Sequence, residues 1–277
     1  MWVIDNQQFL GKLDGWDRAA QFADGLFETM VVKNQNILGL KYHVARMEKG
    51  IKQLGILNFE HDLSELFESY AHSFCDLSKH KDGVLKVIVS RGESQRGYAY
   101  DHKITPRITA FYNEYPFIAP EIYQKGIKLV TLKTQCSINP QLAGLKHLNR
   151  LENVLAKAEL SSNAYEGLMT NYLGNIIEGT MSNVFFEENG QLFTPDLTLS
   201  GVEGVLRECV IEYANKCLTP VRVLDIKTAE TKHFKQGFIC NSVLGIVPIA
   251  SLDQAGFTLG DIRKRLVSVC VSGEIYE

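Results

Sequence analysis

Residues 167–193 read GLMTNYLGNIIEGTMSNVFFEENGQLF. Two β-prone runs, Gly167–Tyr172 and Asn175–Glu178, flank a turn at Leu173-Gly174. Two more, Val184–Glu187 and Gln191–Phe193, flank Asn189-Gly190, the pair a tight hairpin prefers because both residues accept positive φ. A helix from about Val205 to Lys216 follows, then strands near Val221–Asp225 and Phe238–Asn241. Hairpins followed by a helix and further strands predict an α+β fold.

Upstream of this stretch, Ile127–Thr131 reads as a strand. A helix then places Leu148, Leu151, Val154, Leu155 and Ala158 on one face. The segment Asn113–Pro120 has prolines at 116 and 120, which remove backbone donors and fix φ, so a domain boundary is expected there. Before it, Val44, Met47, Ile51 and Leu54 share a helical face after Leu38–Leu40, and a second helix covers Asp62 to Phe74. Val84–Ser90 and Arg107–Tyr112 read as strands, joined through the flexible, basic segment Arg91–Tyr98. The expected organisation is a smaller domain over 1–115, a linker over 116–124, and a larger cofactor-binding domain over 125–277.

At 277 residues the chain has room for one large core or two modest ones. Its 29 basic and 32 acidic residues are spread along the chain, which argues against a nucleic-acid groove or a membrane-binding patch. No apolar run approaches the length of a membrane span, and the opening MWVIDNQQFLGKLDG does not read as a signal peptide. The six cysteines form neither a CxxC pair nor a zinc-type spacing with His, so no metal site is expected. Free thiols in a reducing cytoplasm account for them, and nothing requires disulfides.

Lys146 lies in Leu142-Ala143-Gly144-Leu145-Lys146-His147-Leu148 between a strand and an amphipathic helix. Apolar surroundings strip hydration from an amine and favour its neutral, nucleophilic form; a lysine snorkelling from a helix start fits the same pattern. Glu178 ends the run Leu173–Ile177, where a carboxylate suits the ring nitrogen of a pyridine or, equally, a strand end in solvent. Asn183 suits a buttress of that region by hydrogen bonding or, equally, an ordinary turn or strand start. The segment Gly201-Val202-Glu203-Gly204-Val205-Leu206-Arg207 opens a helix whose free N–H groups favour an anion. Arg46 borders the first helical face and offers a bidentate grip on phosphate, or serves as a surface arginine. Asn241-Ser242 closes an apolar strand and adds donors, or forms a polar turn.

Three ordered blocks, Glu178-Gly179-Thr180-Met181-Ser182-Asn183-Val184-Phe185, Leu192-Phe193-Thr194 and Val202–Arg207, make the chain resemble the fold-type IV pyridoxal-phosphate enzymes. The resemblance implies two α/β domains with the pyridoxal 5'-phosphate site between them, close to a homodimer interface. It implies that Lys146 holds the cofactor as an imine, that Glu178 pairs with the ring nitrogen, and that Arg46, Val205, Leu206, Asn241 and Ser242 bind phosphate, with Asn183 beside them. Thr29 and the loop residues Arg91, Arg96 and Tyr98 fall on the substrate side, with Arg107 a further candidate.

The segment Gly144–Glu152, together with Gln21–Thr29 and Val87–Tyr98, is most similar to the branch of the family that splits 4-amino-4-deoxychorismate into 4-aminobenzoate and pyruvate. That implies an external aldimine, proton removal by the freed Lys146, and arginines pairing with two substrate carboxylates. D-amino-acid and branched-chain aminotransferases are the alternatives, the latter disfavoured because Arg150-Leu151 stands where they carry a tyrosine. An α+β interaction module is the non-enzymatic alternative.

Overall fold

The computed structural model describes residues 2–5, 8–9 and 16–277. The chain divides into two compact units, Met1–Phe117 with Leu145–Asn149, and Ile118–Gly144 with Arg150–Glu277. The segment holding Lys146, expected within 125–277, thus groups with the N-terminal unit.

The first unit contains β1 (Trp2–Asp5), β2 (Gln8–Phe9), α1 (Arg18–Phe22), β3 (Gly25–Lys33), β4 (Asn36–Ile37), α2 (Leu40–Leu54), α3 (Leu63–Ser78), β5 (Gly83–Ser90) and β6 (Arg107–Glu114). Its six-stranded antiparallel sheet runs β2-β1-β6-β5-β3-β4. Along β5, burial alternates as a pleated strand with one core face requires. Leu85 and Val87 are fully buried, as are Met30 and Val32 of β3. Helix α2 packs on β3 and α3 on β4 and β5, contributing buried Met47, Phe67 and Phe74. The other face carries half-buried Phe27, Thr29, Lys86 and Ile88.

Two expectations change here. Strand β3 is absent from the expected elements, because it is buried along most of its length and carries Glu28 mid-strand, which hides any apolar alternation. The buried stripe of α2 is His43, Met47 and Gly50, rotated from the expected Val44–Leu54 face. Gly50 permits this, since a Cβ there would come within 2.6 Å of Leu26.

The second unit contains α4 (Glu121–Lys125), β7 (Ile127–Cys136), α5 (Leu151–Glu159), β8 (Glu166–Asn171), β9 (Ile176–Gly179), β10 (Asn183–Glu188), β11 (Gln191–Pro195), α6 (Val205–Cys217), β12 (Arg222–Leu224), β13 (Gln236–Asn241), β14 (Gly245–Leu252), β15 (Ala255–Gly256) and α7 (Asp261–Ser272). Its mixed sheet runs β12-β11-β10-β13-β14-β7-β8-β9, with β15 on β14. Asn189 and Gly190 both take positive φ (51° and 80°) and close the β10–β11 hairpin, as its sequence demands. Leu129, Leu168, Val184, Phe186, Ile239 and Val247 form the core of this unit.

Helix α5 departs from expectation. Leu151, Val154 and Leu155 are 65%, 61% and 57% exposed, and the buried residue is Ala156. The helix rests on β7 and β8 through its small side and turns its large apolar residues outward. Among the described residues no helix is long and apolar enough to cross a membrane, no cluster of three metal-ligand types occurs, and all six cysteines are free thiols.

Candidate active site

Lys146 is positioned by backbone pairing with β3. Leu26 and His147 form an antiparallel bridge, flanked by Phe27 N–H donating to Lys146 C=O (3.0 Å) and Leu148 N–H donating to Gly25 C=O (2.9 Å). This registers Lys146 beside Phe27, and its Nζ lies 4.4 Å from the Phe27 ring centroid. Lys86 Nζ contacts the same ring at 5.0 Å. In register, Lys86 stands opposite Thr29 across the β3–β5 pair. Burial lowers the Lys86 pKa, and no carboxylate offsets that penalty. Two lysines thus contact one aromatic ring on the half-buried side of this sheet. Lys86 is absent from the sequence-derived site, because only strand pairing reveals its neighbours.

On the opposite side of β3, Glu28 is 1% exposed and accepts from Arg46 Nε (2.7 Å), Arg46 Nη2 (2.6 Å) and His43 Nδ1 (2.6 Å). Burial alone would raise the Glu28 pKa; the Arg46 charge and the hydrogen bonds from His43 and Arg46 overcome it and hold the group at about 2. Ionised Glu28 accepts only, so His43 carries its proton on Nδ1. Burial lowers the His43 pKa, and its Nε2 is buried without a hydrogen-bond partner. Arg46, expected as a phosphate grip, therefore has one edge of its guanidinium fixed by Glu28.

The loop arginines separate into two kinds. Arg91 is buried, donates to both Asp24 oxygens (2.8 and 3.0 Å) and to the carbonyls of Leu54 and Gly55, and stacks on Tyr100. Arg107 faces Glu93 (3.4 Å) and Asp17 (3.8 Å). These contacts tie both side chains into the loop framework. Arg18, given no site role by the sequence, joins them by pairing with Asp24 (2.7 Å) and donating to the carbonyls of Gly97 and Tyr98. Arg96 and Tyr98 stand exposed at the loop tip.

In the second unit, Glu178 lies in β9 almost fully buried, and Val202 N–H donates to its Oε2 at 2.8 Å. Asn183 Nδ2 donates to Val202 C=O at 2.9 Å, so one residue of the Gly201–Gly204 loop is held from both sides. Glycine is required here: Gly201 has φ 85°, and a Cβ at Gly204 would collide with Asn183 Oδ1. The loop delivers Gly204 as the N-cap of α6 with no side-chain cap, leaving the first-turn N–H groups of Val205 and Leu206 directed outward. The side chains of those two residues are buried in the core. Asn241 is committed to its own turn, donating to Met181 C=O and accepting from Val243 and Leu244 N–H. Ser242 follows it, half-buried.

Pyridoxal phosphate is an aldehyde on a pyridine ring with a phosphate arm, and each unit, taken by itself, holds residues that fit part of it. The second unit offers a buried carboxylate, a side-chain-free cradle and an uncapped helix start. The first offers a lysine on an aromatic ring and a guanidinium oriented by Glu28.

Comparison with known proteins agrees. Residues 25–252 match the family model described as amino-transferase class IV. The aminodeoxychorismate lyase of Vibrio harveyi is 32% identical over 90% of this chain and 92% of its own length. The D-alanine aminotransferase of Bacillus licheniformis is 28% identical over 88% and 83%. The crystal structure of 4-amino-4-deoxychorismate lyase from Pseudomonas aeruginosa superposes with a TM-score of 0.89 and 36% identity, covering 96% of this chain and 97% of that one.

Proposed function

The chain belongs to the amino-transferase class IV family of pyridoxal-phosphate enzymes, and we propose that within it the protein converts 4-amino-4-deoxychorismate to 4-aminobenzoate and pyruvate. The observation that carries the choice of lyase is the likeness to lyases at 32% and 36% identity over nearly the whole of both chains.

When bound, the cofactor supplies an aldehyde for imine formation and a cationic ring that takes up the electron pair of a broken C–H bond. Lys146 Nζ would hold the cofactor, and its amine, once free, would take the proton from the amine-bearing carbon of the substrate. Glu178 would accept the ring N–H, and the Val202 N–H fixes the carboxylate for that task. The N–H groups of Val205 and Leu206 would bind phosphate, the turn at Asn241-Ser242 would add donors, and Arg46 of the first unit is the candidate guanidinium for it. Asn183 supports the loop. Lys86 and Arg96 pair with the substrate carboxylates, and Thr29 and Tyr98 line the substrate side. Lys86 is the stronger of the two cations, because its charge is half-buried with no acidic partner.

The exposed stripe Leu151, Val154 and Leu155 supports a homodimer, since a stripe of large apolar residues on one helix face favours a covering partner. Six free thiols support a reducing compartment, the cytoplasm.

The deciding test is the product assay. Purified protein given 4-amino-4-deoxychorismate should release pyruvate and 4-aminobenzoate with no keto-acid acceptor present. Turnover that needs a keto acid, with D-alanine as amino donor, would instead establish an aminotransferase.

A further inference from the structure

We propose that Arg207 is a positioning residue for the phosphate seat: a buried cation behind the start of α6 that draws the phosphate of the cofactor onto the backbone N–H groups there. This inference rests on the reading of the α6 start as that seat.

Arg207 is the third residue of α6 and only 6% exposed. Its one hydrogen bond among the described residues runs from Nη2 to the Pro195 carbonyl at 3.0 Å. Its Nε is buried with no acceptor, and among the described residues no carboxylate lies within ion-pair distance. Burial lowers its pKa, and Cys240, Glu208, Glu203 and Asp196 do not offset that. An arginine stays charged even when buried. A guanidinium serving packing alone would be expected to find acceptors for most of its five donors, or a carboxylate partner. This one has neither.

Strand register shows what it lies beneath. Pro195 ends β11, Asn183 begins β10, and Asn241 ends β13, where Asn183 pairs with Cys240. All three therefore lie at one end of three adjacent strands. Asn183 holds Val202 of the glycine loop, and Asn241 holds the turn carrying Ser242. Arg207 is anchored to this end through Pro195, on the helix whose first N–H groups form the seat. In a low-dielectric interior an unneutralised charge acts over a longer range than it does in water. A phosphate dianion at the helix start supplies the missing counter-charge, adding to the field of the helix itself.

The test compares affinity for pyridoxal 5'-phosphate with affinity for pyridoxal, which lacks the phosphate, in cofactor-stripped full-length protein. The melting temperature of the stripped protein is measured in parallel. Wild type should strongly prefer the phosphorylated form. Arg207→Met and Arg207→Gln should cut that preference at least about tenfold, while the stripped protein melts at the same temperature or higher, because an uncompensated buried charge has been removed. Arg207→Lys should retain most of the preference.

An unchanged preference in the neutral variants would overturn the inference. So would equal loss of both affinities with a lowered melting temperature, or failure of Met, Gln and Lys variants alike to fold, since each indicates packing alone. A wild-type protein that does not distinguish the two ligands would refute the phosphate seat itself, and the role of Arg207 with it.

Discussion

Lys146, Glu178 and Lys86 are distinguishable by three separate measurements. Lys146→Ala should abolish turnover and eliminate the peptide labelled when cofactor-loaded protein is reduced with borohydride; label retained at another lysine would refute its assignment. Glu178→Gln should keep cofactor bound but lower kcat by about a hundredfold, the scale of losing one preorganised electrostatic partner. Unchanged kcat would remove Glu178 from the chemistry. Lys86→Met should raise KM about tenfold or more, the equivalent of one charge-assisted hydrogen bond, with a smaller effect on kcat. Of these three residues, Lys146 and Glu178 are legible in the sequence because each sits in a locally distinctive block. Lys86 sits in an ordinary strand, and its significance comes from sharing the Phe27 ring with Lys146.

At the scale of elements, the Gly201–Gly204 loop and helix α5 carry the informative cases. Gly204→Ala places a methyl against Asn183 Oδ1, so the loop or Asn183 must move. The expected result is destabilisation of about 1–3 kcal/mol, the usual cost of overpacking, with weakened cofactor affinity. Both are read by thermal melting and by titration. Loop and helix start are visible in the sequence as a glycine-rich segment before a helical pattern, because that signal is local. Helix α5 shows the opposite: its apolar periodicity is visible, but periodicity does not state which face turns inward. Val154→Glu with Leu155→Glu should leave the monomer folded and shift sedimentation from dimer to monomer. Loss of folding in place of dissociation would count against α5 as the dimer surface.

For the whole molecule, the Glu28–His43–Arg46 cluster predicts the acid limb of stability. Glu28 has its pKa depressed from 4.5 to about 2, so its contribution is complete above pH 4.5 and is lost as pH falls through about 2. That contribution is on the order of 3 kcal/mol. His43 is also depressed, so the unfolded chain binds a proton first and stability falls as pH drops below the ordinary histidine value of 6.5. The urea midpoint should decline in two stages on acidification, and Glu28→Gln should flatten the lower one. A midpoint independent of pH between 7 and 3 would contradict both assignments.

The sequence by itself determined the α+β class, the hairpin at Asn189-Gly190, the glycine loop before α6, and the lysine and carboxylate of the proposed cofactor site. Each of these is written in neighbouring residues, where turn chemistry, periodicity and motif spacing operate. Only the tertiary structure decided that Lys146 docks on β3, that Glu28 clamps Arg46 and His43, that Arg91 and Arg107 hold a loop, and that Arg207 is buried with no counter-charge among the described residues. Those facts depend on strand register and burial between residues far apart in the chain, which fix whether a charge is neutralised, exposed or left for a ligand to complete.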